Sequence, residues 1–328
     1  TTLFRSIYVN ASGGGLNATG VRLHDNYDGF YFNSKKWGSR IADSSIDSNS
    51  DSGVLIQAAT GIRIENCTIS NNRNRGIHVN SAPDALIYGN HVHNNTGDGI
   101  FISSSSSGIG VHHNRVIDNG GEGIEMTLVL ESSVTYNVVR DNNGPGIYSG
   151  ARNSEILYNN VTGNSYGILI GGSCCSGVYG TNNLVGYNYV AENSYGIAIA
   201  NWAGGNNRLL SNTILNSDIY GINIYSGNYH TIEGLLRAKQ YGLKSAGKPF
   251  LLLPENAQLR NPALFSYFEP YLHVVRNREA IQALKQLESL LTLPLGICLP
   301  LNDSCPYLDL AANRIEIERE KQGGELAL

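Results

Sequence analysis

Apolar and polar residues alternate along most of this chain in short runs that return with a period of about 23 residues. Each period contains a glycine followed by apolar residues at the first and third positions, as in Gly76-Ile77-His78-Val79. A repeat of this length predicts a stacked solenoid, because one unit cannot bury its apolar face without its neighbours. The glycines that mark the repeat are Gly29, Gly53, Gly76, Gly99, Gly123, Gly146, Gly167, Gly196 and Gly221.

Asparagines five residues apart recur in phase with the glycines and indicate the corners of each coil. Asn tolerates left-handed backbone and bonds within its own turn, and identical stacked Asn side chains form ladders. This pattern therefore predicts three short strands and no helix in each period. The Asn pairs are Asn66/Asn71, Asn90/Asn95, Asn114/Asn119, Asn137/Asn142, Asn159/Asn164 and Asn188/Asn193.

These features predict an all-β fold, a right-handed parallel β-helix of the pectate-lyase-like type, over residues 1–232. The sequence lacks the helical periodicity of ankyrin or tetratricopeptide repeats and the Leu-rich consensus of leucine-rich repeats. Residues 233–328 are punctuated by proline and acquire helical spacing near residues 277–291. We expect this region to be a mixed, partly helical cap that covers the end of the solenoid.

Composition excludes several classes of protein. The formal net charge of −4 and the isoelectric point of about 6.1 come without a basic stripe, which argues against a nucleic-acid partner. No apolar run approaches the ~18 residues that a membrane span needs. The strand-like opening Leu3-Phe4-Arg5-Ser6-Ile7 carries no signal-peptide pattern, so we interpret the chain as a mature or trimmed fragment.

The five cysteines bear on the compartment. Cys298 and Cys305 are close enough in sequence to form a bridge, and no Cys-x2-Cys metal spacing occurs. Together with the Asn-x-Ser/Thr sites, this favours a secreted or extracytoplasmic protein with one disulfide over a cytosolic protein with five thiols. Cys174 and Cys175 lie in a longer insertion that we expect to project as a loop.

Side chains two and four positions after each glycine are expected to point outward, since strand side chains alternate, and to form a strip along the solenoid. Its C-terminal half carries small residues such as Leu169 and Ala198, whereas its N-terminal half is aromatic and polar. Such a surface suits a linear polysaccharide, acidic or neutral, because rings stack on sugars and amides bond hydroxyls. The candidate substrate-binding residues are Tyr31, Asn33, Gln57, Asn80 and Phe101, with Asp98 and Glu122 at the rim.

The candidate catalytic residues are Arg75, His78, Glu125 and Tyr148, which lie on the same half of the strip. General acid–base catalysis needs such groups within hydrogen-bond reach of one substrate proton. His78 and Glu125 are two coils apart, ~10 Å by strand spacing, so each would act separately on a bound sugar. No cofactor is expected; the alternative is calcium, held by carboxylate oxygens of Asp98 and Glu122.

The stretch Asn94-Asn95-Thr96-Gly97-Asp98-Gly99-Ile100, followed by Asn114-Arg115-Val116-Ile117, resembles the repeats of mannuronan C5-epimerases and related carbohydrate-active β-helix proteins. The resemblance implies a polysaccharide substrate and fits removal of the C5 proton of a uronate. The epimerases' Asp-Pro-His-Asp-like motif is absent, and a comparable early coil reads Asp28-Gly29-Phe30-Tyr31-Phe32-Asn33. No catalytic residue is therefore carried over from that family.

Three functions stay open on this evidence. In a uronan C5-epimerase or lyase, which we rank first, Arg75 and Asn80 would neutralise the uronate carboxylate while His78 and Tyr148 exchange protons. In a glycoside hydrolase, two carboxyl groups ~5–9 Å apart would act on the glycosidic bond. In a non-catalytic polysaccharide-binding or surface protein, the aromatic strip would suffice. The carboxyl candidates for a hydrolase are Asp98, Glu122 and Glu125.

Overall fold

The computed structural model of the chain describes residues 7–9, 15–33, 38–104, 106–171, 180–200, 203–225 and 230–233. It also describes short backbone segments at 251–252, 296–298 and 307–309. The expected loop at Cys174 and Cys175, the helix expected near residues 277–291 and Cys305 lie outside the described residues. The expectations of a helical cap and of a Cys298–Cys305 bridge therefore stay predictions.

The first of three long parallel sheets contains the strands that follow the repeat glycines. Its strands pair in the order of the coils, so each strand contacts the equivalent strand of the coil before and after it. They are β1 (Ile7–Val9), β4 (Phe30–Asn33), β7 (Val54–Gln57), β10 (Ile77–Asn80), β13 (Ile100–Ser103), β16 (Ile124–Leu130), β19 (Ile147–Arg152), β22 (Tyr166–Ile170), β25 (Tyr195–Ile199), β28 (Tyr220–Ile224) and β30 (Leu251–Leu252).

The second and third sheets are built from three-residue strands that pair in the same coil order. The second contains β2 (Asn17–Thr19), β5 (Arg40–Ala42), β8 (Arg63–Glu65), β11 (Leu86–Tyr88), β14 (Gly110–His112), β17 (Ser133–Thr135), β20 (Glu155–Leu157), β23 (Leu184–Gly186), β26 (Arg208–Leu210) and β29 (Thr231–Glu233). The third contains β3 (Arg22–His24), β6 (Ser45–Asp47), β9 (Thr68–Ser70), β12 (His91–His93), β15 (Arg115–Ile117), β18 (Val138–Arg140), β21 (Asn160–Thr162), β24 (Tyr189–Ala191) and β27 (Thr213–Leu215).

The predicted coil of three strands is confirmed, and the fold is a right-handed parallel β-helix. The described residues contain strands, turns and bends but no helix, so none of them forms an apolar helix long enough to span a membrane. Near the C-terminus, β31 (Gly296–Cys298) and β32 (Tyr307–Asp309) form a separate antiparallel pair.

The interior is a set of apolar columns that run along the solenoid axis. Ile77 and Val79 are fully buried and pair in register with Ile100 and Ile102 of the next coil. The same two positions after each repeat glycine are buried throughout the described coils, which confirms the predicted inward columns. The constant register follows from the alternation, because a one-residue slip would turn every apolar side chain outward.

Two long ladders of buried asparagines lie at corners of the coil and differ in part from the predicted pairs, and a single further rung joins Asn183 to Asn207. Asn66 and Asn71 have positive φ angles and sit at the corners, while Cys67 and Asn72 occupy the adjacent ladder positions. In each rung one Asn donates its backbone and side-chain N–H groups to the carbonyl oxygen of the next Asn. One ladder contains Asn90, Asn114, Asn137, Asn159, Asn188 and Asn212, and the other Asn49, Asn72, Asn95, Asn119, Asn142, Asn164 and Asn193.

Replacing Asn119 with Leu should lower the free energy of unfolding by about 3 kcal/mol, because buried polar groups would lose their partners. The Asn119 carbonyl accepts from Asn95, and its amide donates to the backbone carbonyls of Val92 and Ile117. Urea unfolding measures the change, with the exposed Asn160→Leu as the control. Equal stability of the two variants would contradict a structural role for the ladder.

Candidate functional site

The first sheet aligns the candidate side chains across four neighbouring strands. His78 on β10 pairs in register with Phe101 on β13, which pairs with Glu125 on β16 and then with Tyr148 on β19. All four side chains are half-buried. The constant repeat therefore places them in one row, as the sequence predicted.

The residues just before the repeat glycines form one wall of this row. Arg75 Nε donates a hydrogen bond to Asp98 Oδ2 at 2.9 Å, and its guanidinium carbon lies 3.9 Å from the centre of the Phe101 ring. Asp98 Oδ1 accepts the Glu122 backbone N–H at 3.1 Å. A Cβ at Gly121 would approach this oxygen to 2.3 Å, so the turn requires glycine. Asp98 is buried, and both of its carboxylate oxygens accept hydrogen bonds that fix its position.

Three carboxyl groups meet at the centre of the row. One oxygen each from Asp98, Glu122 and Glu125 lies within 4.8 Å of the others. Burial and the neighbouring Asp98 carboxylate raise the pKa of Glu122 to about 7. Burial also raises the pKa of Glu125, whose Oε1 accepts the Thr127 hydroxyl at 2.7 Å. Glu122 therefore exchanges its proton near neutral pH, beside two further carboxyl groups.

His78 flanks the carboxyl cluster as a neutral imidazole. Burial, followed by the charge of Arg75, lowers the pKa of His78 to about 4. Its ring centre lies 5.0 Å from that of Phe101, with the planes tilted by 57°. A neutral imidazole can accept a proton or bond a sugar hydroxyl, and it adds no positive charge that would attract an acidic substrate.

Tyr148 lies along the sheet on the other side of the cluster. A Cβ at Gly171 would come within 2.6 Å of the Tyr148 hydroxyl, and one at Gly150 within 3.6 Å of its ring. The two glycines thus leave space for the ring beside Glu125. Burial and the Glu125 carboxylate raise the pKa of Tyr148, so the phenol stays neutral. A neutral ring in this position suits stacking on a sugar better than proton abstraction.

The remaining candidates lie N-terminal to the cluster and are not brought into it. Tyr31 is only 6% exposed, and its hydroxyl donates to Gln57 Oε1 at 2.6 Å. Asn33, Gln57 and Asn80 pair across β4, β7 and β10 as a polar row. Tyr31 lies four strands from Glu125, ~19 Å by strand spacing, so its position and its burial both keep it away from the carboxyl cluster.

The C-terminal half of the strip is buried in part, although its side chains were expected to point outward. Ala198 and Asn223 point away from the core, yet they are 0% and 2% exposed. Tyrosines lie close to them: the Tyr166 and Tyr195 rings stack 4.4 Å apart, and Tyr225 hydrogen-bonds with both and with Asn223. The residue just before the repeat glycine is charged in several N-terminal coils but is tyrosine in the last three, at Tyr166, Tyr195 and Tyr220. This change in the sequence was the available signal for the difference between the two halves.

Comparison with protein families gives a match that agrees with this architecture. A family model described as the right handed beta helix region matches residues 5–149 and, in a second alignment, residues 37–181. The two alignments together cover more than half of the 328 residues. The comparison with curated proteins gave no significant match.

Solved structures share the fold at low sequence identity. DFA-IIIase from Arthrobacter chlorophenolicus A6 without its lid has a TM-score of 0.56 and 14% identity over 78% of this chain and 70% of that chain. The enzymatically active domain of tailspike protein 2 from bacteriophage CBA120 has a TM-score of 0.54 and 14% identity over 76% and 43%. A mutant of the periplasmic alginate epimerase AlgG has a TM-score of 0.50 and 16% identity over 69% and 50%. The chain thus spans half or less of the length of the last two proteins, and the likeness concerns the fold alone.

Proposed function

Because the chain belongs to the family of right-handed β-helix regions, we propose that it acts on a polysaccharide along its first sheet, as a glycoside hydrolase. The observation that carries this proposal is the cluster of Asp98, Glu122 and Glu125 oxygens within 4.8 Å, with the pKa of Glu122 near 7. Glycoside hydrolysis needs a protonated carboxyl group beside an ionised one. The periplasmic alginate epimerase of the same fold is named for a polysaccharide substrate, which supports the substrate class and an extracytoplasmic location.

In this proposal Glu122 is the general acid and Glu125 the nucleophile. The short separation is nearer the ~5 Å of retaining enzymes than the ~6.5–9.5 Å of inverting ones. Glu122 gives its proton to the leaving glycosidic oxygen while a Glu125 oxygen bonds the anomeric carbon. Water then attacks that carbon, Glu122 takes the water's proton, and the bond to Glu125 breaks. Burial and the neighbouring Asp98, which Arg75 holds, raise the pKa of Glu122 and keep its proton available.

The charges around the cluster favour a neutral glycan over a uronan. Three carboxyl groups surround the reaction centre, and the guanidinium of Arg75 is already paired with Asp98 and packed on Phe101. Arg75 is therefore poorly placed to neutralise a uronate carboxylate. His78 and Tyr148 are three strands apart, ~14 Å by strand spacing, which is too far for both to exchange a proton at one C5 atom.

Uronan epimerase or lyase chemistry is the second candidate, and one observation favours it. The three carboxyl groups form an oxygen cluster of the kind that binds calcium, which would reverse the local charge and attract a uronate. The donor set fits such an ion only in part, because both Asp98 oxygens already accept hydrogen bonds. A polysaccharide-binding protein without activity is the outcome if no reaction is detected.

The test is a panel of neutral and acidic polysaccharides incubated with the protein, with and without calcium or chelator. Xylan, β-glucan, inulin and galactomannan represent neutral substrates, and alginate and polygalacturonate represent uronans. New reducing ends without unsaturated-uronate absorbance, on a neutral polymer and in chelator, are the expected result. Calcium-dependent absorbance, or C5 proton exchange in heavy water, would instead support uronan chemistry and overturn the hydrolase.

Tyr148→Phe should keep the catalytic efficiency kcat/KM within about threefold, whereas Tyr148→Ala should lower it at least about tenfold, mainly through KM. The reason is that stacking uses the face of the ring, which phenylalanine preserves. Steady-state kinetics on the cleaved polymer measure both variants. A large loss in kcat for the Phe variant would instead assign a proton-transfer role to the hydroxyl.

The pH profile follows from the raised pKa of Glu122. Because the acid must keep its proton, kcat/KM should fall as the pH rises through about 7. It should also fall at low pH, where Glu125 becomes protonated and loses its nucleophilicity. Initial rates across this range measure the profile, and Glu122→Gln should lose the alkaline limb. A wild-type profile that stays flat through the Glu122 pKa would remove its role as the acid.

A further inference from the structure

Tyrosines from opposite edges of the first sheet meet above its C-terminal half. Tyr166 and Tyr195 stand where β22 and β25 begin, and Tyr225 directly follows β28 at the other edge. The Tyr225 side chain hydrogen-bonds with the side chains of Tyr166, Tyr195 and Asn223. We call Tyr166, Tyr195 and Tyr225 the tyrosine bridge.

The floor of the strip is buried where the tyrosine bridge crosses it. Ala198 on β25 and Asn223 on β28 are 0% and 2% exposed, although both point away from the core. Leu169 on β22 and Tyr148 on β19, nearer the carboxyl cluster, stay half-buried. The strip is therefore accessible around the cluster and covered beyond it, while Tyr225 itself remains 45% exposed at the boundary.

The distance from the cluster to the bridge sets the length of the accessible segment. Glu125 lies on β16 and Ala198 on β25, three strands further along the sheet, which corresponds to ~14 Å. Only the strands of Tyr148 and Leu169 lie between them. A glycan that lies along the strip can therefore place a few sugar units past the reaction centre before it meets the bridge.

We infer that the strip binds the end of a glycan chain against the tyrosine bridge, so that cleavage releases short products from that end. This inference rests on the proposed hydrolase function and adds its mode of attack. The phenol hydroxyls of the bridge offer donors and acceptors to the hydroxyls of a terminal sugar, and the Tyr148 ring supports the sugar beside Glu125. The polar row of Asn33, Gln57 and Asn80 on the opposite side is available to the rest of the chain.

Product size from the neutral polymers of the panel tests the inference. Wild-type protein should release short oligosaccharides of defined size from the first time point, while the viscosity falls slowly relative to the appearance of reducing ends. Tyr225→Ala should open the covered end, produce longer and more varied fragments, and make the viscosity fall faster. Tyr225→Phe keeps the ring but removes the hydroxyl contacts, and it should shift the product sizes in the same direction.

Tyr189→Ala is the matched control, because Tyr189 is 43% exposed on the third sheet, away from the strip. It should leave the product sizes unchanged. Mid-chain fragments from the wild type, or product sizes unchanged in both Tyr225 variants, would overturn chain-end binding and leave the hydrolase intact. A wild type that cleaves none of the neutral polymers would overturn the hydrolase and the inference together.

Discussion

Replacing Glu122 with Gln is expected to reduce turnover at least about 100-fold, because the amide cannot protonate the leaving oxygen. Glu125→Gln should cause a comparable loss, since an amide is a poor nucleophile at the anomeric carbon. Neither change should reduce thermal stability, because each replaces a half-buried acid, whose pKa is raised by burial, with a neutral side chain of similar size. Turnover and melting temperature should be measured on the same preparations.

The matched control for these variants is Glu155→Gln, at an exposed position on the second sheet. It should retain wild-type turnover. Full activity of both Glu122→Gln and Glu125→Gln would move the reaction away from the carboxyl cluster. A variant that loses turnover and also unfolds at a lower temperature would not report on catalysis.

Ile124→Asp is expected to abolish cooperative folding, the largest stability effect that we anticipate. Ile124 is fully buried on β16, and it pairs in register with Ile100 and Ile147. An ionised carboxylate there would have no partner in an apolar column, and changes of this kind cost more than about 4 kcal/mol. Circular dichroism and thermal melting report the outcome, and a wild-type melt would show that the column is not packed as described.

Val138→Asp serves as the comparison for Ile124→Asp. Val138 makes the same kind of strand pairing on β18, but it is half-buried on the outer face of the third sheet. An aspartate at this position can stay in contact with water, so the variant should fold. A solenoid that tolerated or rejected both changes equally would contradict the assignment of inner and outer columns.

The fold could be predicted from the sequence because its two signals repeat once in every coil. A buried Ile two residues from another apolar residue, as at Ile77 and Val79, fixes which face of each strand is inside. The corner residues were predicted less accurately. Asn66 and Asn71 satisfy the preference of Asn for left-handed backbone, but the ladder uses the residues that follow them, Cys67 and Asn72. Local propensity does not distinguish between two such adjacent positions.

The candidate site could be predicted as a row but not as a set of contacts. The constant period places His78, Phe101 and Glu125 in line, and the structure has this register. The pairing of Arg75 with Asp98 and the hydrogen bonds of Tyr225 across the strip depend on the length and direction of side chains at the sheet edges. Side-chain alternation within a strand gives no information about the direction of residues at the corners between strands.

The most direct test of the central claim is to follow the reaction in water enriched in oxygen-18, with mass spectrometry of the products. Hydrolysis at the carboxyl cluster predicts one labelled oxygen on the new reducing end of a neutral polymer, sampled before that oxygen exchanges with water. It also predicts no unsaturated product and at least about 100-fold less labelled product from Glu122→Gln. Cleavage of a uronan without label, with an unsaturated uronate at the new non-reducing end, would show elimination and contradict the account.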